Sequence, residues 1–205
     1  LASADRHGLE LPETGETSQG TGRESHRALE AIRMAVHKKG AARLAAHLVF
    51  LDESGFLTVP NVRRTWAPRG QTPIMRCAGH WEKISAISAI AVSPKRKHLA
   101  LYARFHLEKN IRSPEVVAFL RQLLKHLRDH VVLLWDNGQH HKGPMVREFL
   151  SKHPRLHTYR FPTYAPELNP DEFVWHHLKG AVANSNPRDL RQLKEFLHPP
   201  LQRLR

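Results

Sequence analysis

Cysteine is nearly missing from this chain, with Cys77 the single one in 205 residues. One thiol excludes an internal disulfide framework and any cysteine-based zinc cluster, and it makes a reducing compartment the expected home. Long apolar runs are missing too. None approaches the ~18 residues that a membrane-spanning helix needs, and no secretory pattern opens the sequence, so a cytoplasmic protein without a membrane partner is expected. Acidic residues are scarce beside basic ones, 19 Asp and Glu against 32 Lys and Arg, for a net charge of +13. That imbalance points to a polyanionic partner, most simply nucleic acid. A merely soluble basic surface is the plainer alternative, which charge alone does not exclude. The apolar fraction of 40% and charged fraction of 25% are those of an ordinary globular protein, and the length suits one domain with a sizeable core.

The few acids are unevenly spread. Residues 1–24 carry five of them against two basic residues, with four Gly and no hydrophobic period, so disorder is expected there and the rest of the chain is more basic than the whole. Residues 25–46 read as a helical lead-in, with Leu29, Ile32, Val36 and Leu44 loosely at helical spacing and Gly40 as an interruption. The main domain is expected over 47–198, with a short tail at 199–205.

Within that domain the stretch 131–141, VVLLWDNGQHH, organises the pattern. An apolar run that short predicts a strand covered on both faces, with Asp136 at its carboxyl end and Asn137-Gly138 turning the chain away. The template recurs at 48–55, LVFLDESG, where four apolar residues run into Asp52. Alone, either Asp is more simply a turn or cap residue. Two such strands side by side would hold both carboxylates at one sheet edge, where their repulsion calls for a divalent cation. Residues 84–92 and 98–106 predict a hairpin around the basic turn Ser93, Lys95, Arg96 and Lys97, and Ser113-Pro114-Glu115 opens a helix with Ser113 as its cap. That helix crosses over to the second strand, making the two Asp-bearing strands parallel. A helix at 142–153, a strand at 156–161, a helix at 170–179 closed by Gly180, and a last helix at 187–197 stopped by Pro199 and Pro200 complete an α/β pattern. It predicts a mixed five-stranded sheet with helices on both faces. The intervening segment 61–73, NVRRTWAPRGQTP, reads as a basic loop with Trp66 as its anchor.

A third acid lies in 162–179, PTYAPELNPDEFVWHHLK. Asn169, Pro170 and Glu172 fit the cap, first and third positions of a helix, so Glu172 has a purely structural explanation as a capping acid. Against it, Glu172 shares a helix face with His176 and Lys179, opposite Val174 and Leu178, and that face can be aimed at the two Asp. Asp171 is the competing choice.

Taken in order, LDESGF, RTWAPRGQTP, WDNGQHH and YAPELNPDEFVWHHLK resemble the catalytic domain of DDE transposases in the mariner-type superfamily, specifically its bacterial insertion-sequence branch. The 35 residues between Asp136 and Glu172 are similar to that family's spacing. The resemblance implies an RNase H-like fold and a metal-binding catalytic triad of Asp52, Asp136 and Glu172, with supporting roles for Asn137 and His141. It implies two Mg²⁺ ions, replaceable by Mn²⁺, bridged by Asp52 and flanking a scissile phosphate. The implied partner is DNA, as transposon ends and target, bound by a homodimer or higher assembly in a prokaryotic, nucleoid-associated setting. Arg63, Arg64, Arg69 and the Lys95, Arg96, Lys97 turn are candidates for holding phosphates rather than reading bases, with a solvated basic surface as the alternative for Arg63 and Arg64. His140, His176 and His177 are expected at the surface or in packing rather than as ligands. Such transposases carry helix-turn-helix modules ahead of the catalytic domain, and the segment before Leu48 is short for them. The alternatives are therefore a non-catalytic DNA-binding remnant or an RNase H-type nuclease on the same fold.

Overall fold

A computed structural model of the chain describes residues 44–59, 61–75, 81–162 and 166–205. The disorder expected at 1–24 and most of the helical lead-in expected at 25–46 lie outside these residues. Five strands, β1 (His47–Leu57), β2 (Lys83–Val92), β3 (Leu99–Leu107), β4 (Val131–Trp135) and β5 (Leu156–Arg160), form one mixed sheet in the order β3-β2-β1-β4-β5. The first three make an antiparallel meander, and β4 and β5 add on parallel to β1. Among the described residues the helices are α1 (Ser113–His126), α2 (Pro144–Ser151), α3 (Asp171–Ala181) and α4 (Leu190–Gln202). Among the described residues no helix is long and apolar enough to cross a membrane.

The two-residue period of the strands divides the core between the faces of the sheet. Val49 and Leu51 of β1 join Val131, Leu133 and Trp135 of β4 in a cluster with Val116, Leu120, Leu123 and Leu124 of α1 and Val146 and Phe149 of α2. On the other face Phe56, Ile84 and Ala86 pack against Val174, Trp175 and Leu178 of α3 and Leu190, Leu193 and Leu197 of α4. All of VVLLW in β4 is buried, as the unbroken apolar run predicts for an inner strand covered on both sides. The expected sheet with helices on both faces is therefore present.

Several boundaries differ from expectation, each for a local reason. The cap of α1 is Arg112, whose N–H donates to Glu115 Oε2 at 3.1 Å, while Ser113 is freed to donate from its hydroxyl to the His140 carbonyl at 2.8 Å. The helix expected from 142 begins at Pro144, because residues 139–141 first make a single 3-10 turn. Helix α3 runs through Gly180 to Ala181. Helix α4 passes through both prolines to Gln202, so the expected 199–205 tail is largely helical. A proline in a helix interior costs about 3 kcal/mol, but Pro200 and Leu201 extend the buried stripe of Leu193 and Leu197, and a buried leucine alone contributes roughly 1.5–3 kcal/mol. Trp66 does not anchor its loop: it is 99% exposed.

Arg155, just ahead of β5, closes the end of α1. Its guanidinium donates to the carbonyls of Leu124 at 2.6 Å and Asp129 at 2.7 Å and also to that of Leu127. Leu124 lies in the last turn of α1, where carbonyls lack a helical donor, and Leu127 and Asp129 follow the helix, so a forked cation joins the α1 terminus to the start of β5. Replacing Arg155 with Ala is expected to cost about 2–3 kcal/mol, in line with hydrogen bonds to a charged group. Urea denaturation measures this, and Arg155→Lys should recover only part of the loss because an ammonium cannot fork. An Arg155→Ala protein as stable as the parent would show that water serves those carbonyls equally well.

Candidate active site

The parallel register pairs Phe50 with Leu134, so continuing it by two residues sets Asp52 opposite Asp136. Neighbouring strands put their backbones about 5 Å apart. Asp52 and Asp136, far apart in sequence, are thus carried by adjacent strands. Strand β1 does not end at Asp52, as the Ser54-Gly55 turn signal predicts, but runs on to Leu57, whereas Asp136 is one residue past the end of β4 and its carboxylate groups with His141 and Glu53. Asp52 faces α3, where its Oδ2 accepts a hydrogen bond from Trp175 Nε1 at 2.9 Å. Burial first, and then the negative charges of Glu53 and Glu172, raise its carboxyl to about 7, although the Glu53 and Trp175 N–H groups oppose the shift.

Helix α3 brings two further acids to Asp52. Its cap is Pro170, and the Asn169 side chain accepts from the Asp171 N–H at 3.2 Å. From that start Asp171 falls on the buried stripe with Val174, Trp175 and Leu178, while Glu172 and His176 fall on the exposed side. Glu172 lines an open groove with Glu167, Asn169, Phe173 and His176 and projects its charge onto Asp52. Asp171 is fully buried, and neither of its oxygens has a hydrogen-bond partner. Burial, reinforced by Asp52 and Glu53, pushes its carboxyl up to about 8 despite the nearness of Ser88 and the Asp52 backbone.

Glu53, next to Asp52, points to the opposite face. There its Oε2 lies 3.2 Å from His140 Nε2 and 3.4 Å from His141 Nε2, and His141 Nε2 lies 3.0 Å from Asp136 Oδ1. Among the described residues, Glu53, Asp136, His140 and His141 bring one donor atom each within 4.8 Å of one another, a set that leaves out Asp52 and Glu172. Burial would lower the His141 imidazole, but contact with Asp136 and Glu53 overrides it and raises the ring to about 9. Burial would raise Glu53, and His140 and His141 instead hold it low. His141 holds Asp136 low against the effect of partial burial, helped by the Gly138 N–H, which donates to Oδ1 at 2.8 Å.

The other expected site residues are scattered. Asn137 is exposed and accepts from Arg160 at 2.6 Å. Arg63, Arg64 and Arg69 lie on the exposed loop after β1, and that loop is clasped to the end of α3: Asn184 Oδ1 accepts from the Arg63 N–H at 2.8 Å and Nδ2 donates to the Arg63 carbonyl at 3.0 Å. The Lys95, Arg96, Lys97 turn is exposed but sits at the opposite end of the sheet, since Val92 pairs with Leu48 and Arg96 reaches the Ala46 carbonyl. His176 and His177 are exposed, as expected. His140 is not a bystander, because it belongs to the Glu53 cluster. Glu53, Trp175 and Asn184 were not anticipated; for Glu53 the adjacent acids of LDES were the available signal, whereas Trp175 and Asn184 gave none.

The Asp52 carboxylate, raised by burial and then by the charges of Glu53 and Glu172, fits a hard divalent cation, which such oxygen donors bind and whose charge would offset that shift. A mixed sheet with one acid in the middle of its first strand and another just past the end of its fourth defines the class, an RNase H-like fold with a carboxylate site. The chain belongs to the DDE superfamily endonuclease family, whose model matches residues 47–194. Among solved structures, the Mos1 strand transfer complex is similar at a TM-score of 0.63 and 17% identity, covering 100% of this chain and 63% of that one. The Mos1 transposase catalytic domain with raltegravir and Mg is similar at 0.59 and 13% identity, covering 91% and 85%. At these identities the likeness is one of fold, and this chain spans 63% of the length of the chain in the strand transfer complex. No curated protein matches.

The position of Asp171 has a testable effect on stability. Its carboxyl is raised when folded, so the folded protein keeps a proton that the unfolded chain releases near the usual value of 3.8, and stability falls as pH rises from there to about 8. Asp171→Asn carries no such charge. In thermal melts with a chelator present, its melting temperature relative to the parent should climb from pH 5 to pH 8. A constant or shrinking difference would mean that Asp171 is ionised and paired.

Proposed function

We propose that this chain is the catalytic domain of a DDE transposase from the bacterial insertion-sequence branch of the mariner-type superfamily, cutting DNA and joining the ends to a target. The observation that carries this is the pairing of the strand that bears Asp52 with the parallel strand that leads into Asp136, together with the charge of Glu172 acting on Asp52 from the start of α3. Asp52, Asp136 and Glu172 would hold Mg²⁺, or Mn²⁺ in its place, and the metal would supply the positive charge that displacement at phosphorus needs.

The chain's own residues do the positioning. Trp175 fixes the Asp52 carboxylate by one oxygen, and the Gly138 N–H and His141 fix that of Asp136, so neither acid has to be ordered when DNA arrives. Glu172 lies in an open groove that an extended phosphate backbone can enter. Arg63, held against Gly180 at the end of α3, and the exposed Arg64 and Arg69 offer cations to flanking phosphates. Lys95, Arg96 and Lys97, at the far end of the sheet, serve only DNA that extends well beyond the site or a second duplex. Transposon ends and target as substrates, a dimer or higher assembly on DNA, and a cytoplasmic setting belong to the same proposal.

Nicking of supercoiled plasmid in Mg²⁺ tests it. Glu172→Gln should lower the rate at least ~100-fold, as expected when a group acting on the transition state is lost, with DNA binding unchanged, while Asp171→Asn retains activity. Loss of nicking in Asp171→Asn and its survival in Glu172→Gln would reverse the roles of the two acids. DNA binding should weaken steeply with added salt and show little sequence preference. A parent protein that binds DNA but never nicks it, in Mg²⁺ or Mn²⁺, would be a non-catalytic remnant.

A further inference from the structure

We propose that Glu53, Asp136, His140 and His141 form a second metal centre, selective for Zn²⁺ or a similar borderline ion, on the face of the sheet opposite Asp52. Two imidazoles and two carboxylates are a donor set that suits zinc and not Mg²⁺, which prefers oxygen ligands in an octahedron and keeps its waters. The spacing agrees. Zinc at about 2.0–2.1 Å from each of four tetrahedral donors puts those donors about 3.3–3.4 Å apart; the three imidazole–carboxylate pairs here are 3.0, 3.2 and 3.4 Å, within a set whose four donor atoms all lie within 4.8 Å of one another.

The cluster is also short of partners. The His141 side chain has no exposed surface and that of Glu53 little, yet apart from the ion-pair contacts within the cluster itself the Nε2 atoms of both histidines and Glu53 Oε1 make no hydrogen bond. Unsatisfied buried polar atoms that converge on one point are what a ligand would complete. The surroundings hold the donors in place as outer partners hold metal ligands. Trp135 stacks on His141 at 4.3 Å between ring centroids, and the Ser113 hydroxyl ties down the His140 backbone. Gly138 backs the site so closely that a Cβ there would lie 2.5 Å from His140 Cε1 and 2.9 Å from Asp136 Oδ1. Because Asp136 belongs to both donor sets, zinc in this centre draws one carboxylate away from the set around Asp52.

The test is binding, independent of nuclease activity. Titration of the whole chain with Zn²⁺ in excess Mg²⁺, against a chromophoric chelator, should give one tight site per chain. Co²⁺ in place of Zn²⁺ should give the intense visible bands of a four-coordinate ion rather than the faint ones of an octahedral ion. His140→Ala and Glu53→Gln should each weaken Zn²⁺ binding at least ~10-fold, with folding checked by circular dichroism, while Glu172→Gln leaves it unchanged. His140 is the safer substitution because it is the most exposed of the three inner side chains. Zinc binding that survives both substitutions, octahedral Co²⁺ spectra, or no binding at submillimolar Zn²⁺ would each overturn the proposal.

Discussion

Strand β1 is covered by helices on both faces, so the alternation of its side chains decides where each acid of LDES acts. Asp52 turns toward α3 and meets Trp175, Asp171 and Glu172. Glu53, one residue on, turns toward α1 and meets two imidazoles. A one-residue slip of β1 would exchange the two and turn Val49 and Leu51 away from the α1 cluster, so the packing of those residues also holds the acids in place.

Charge balance differs between the two faces. Around Asp52, burial first and then the neighbouring acids raise the carboxyls to about 7 at Asp52 and about 8 at Asp171. Around Glu53 the imidazoles compensate, and both Glu53 and Asp136 are held low. One face thus carries uncompensated carboxylates, and on the other His141 offsets Glu53 and Asp136 with a proton that a bound metal would displace. Asp136, past the end of its strand, groups with Glu53 and the two imidazoles.

Asp171 and Glu172 show how a helix start sorts adjacent acids. About 100° separates their directions around the helix axis. With Trp175 and Leu178 packed on the sheet, Asp171 is carried inward and Glu172 outward. Glu172 keeps contact with solvent and the open groove. Asp171 is sealed without a hydrogen-bond partner, a costly position that the local sequence did not announce.

Much of this was readable from residue order because it rests on local chemistry. The apolar run VVLLW reads as an inner strand, the long crossover helix made β4 parallel to β1, and the repeated template of an apolar run meeting an Asp picked out the two strands that pair, although β1 runs on past Asp52 to Leu57. Membership of the DDE superfamily endonuclease family follows the same ordered motifs. What sequence alone could not decide depends on contacts between distant elements. The pairing of Glu53 with His140 and His141 requires the 3-10 turn to fold back under β1, and the Trp175 bond to Asp52 spans 123 residues. Pro199 and Pro200 read locally as a stop, yet the buried face of α4 carries the helix through them. Local pattern selects strands, turns and their order, whereas burial and long-range packing determine which side chains lose water and which charges must share a site.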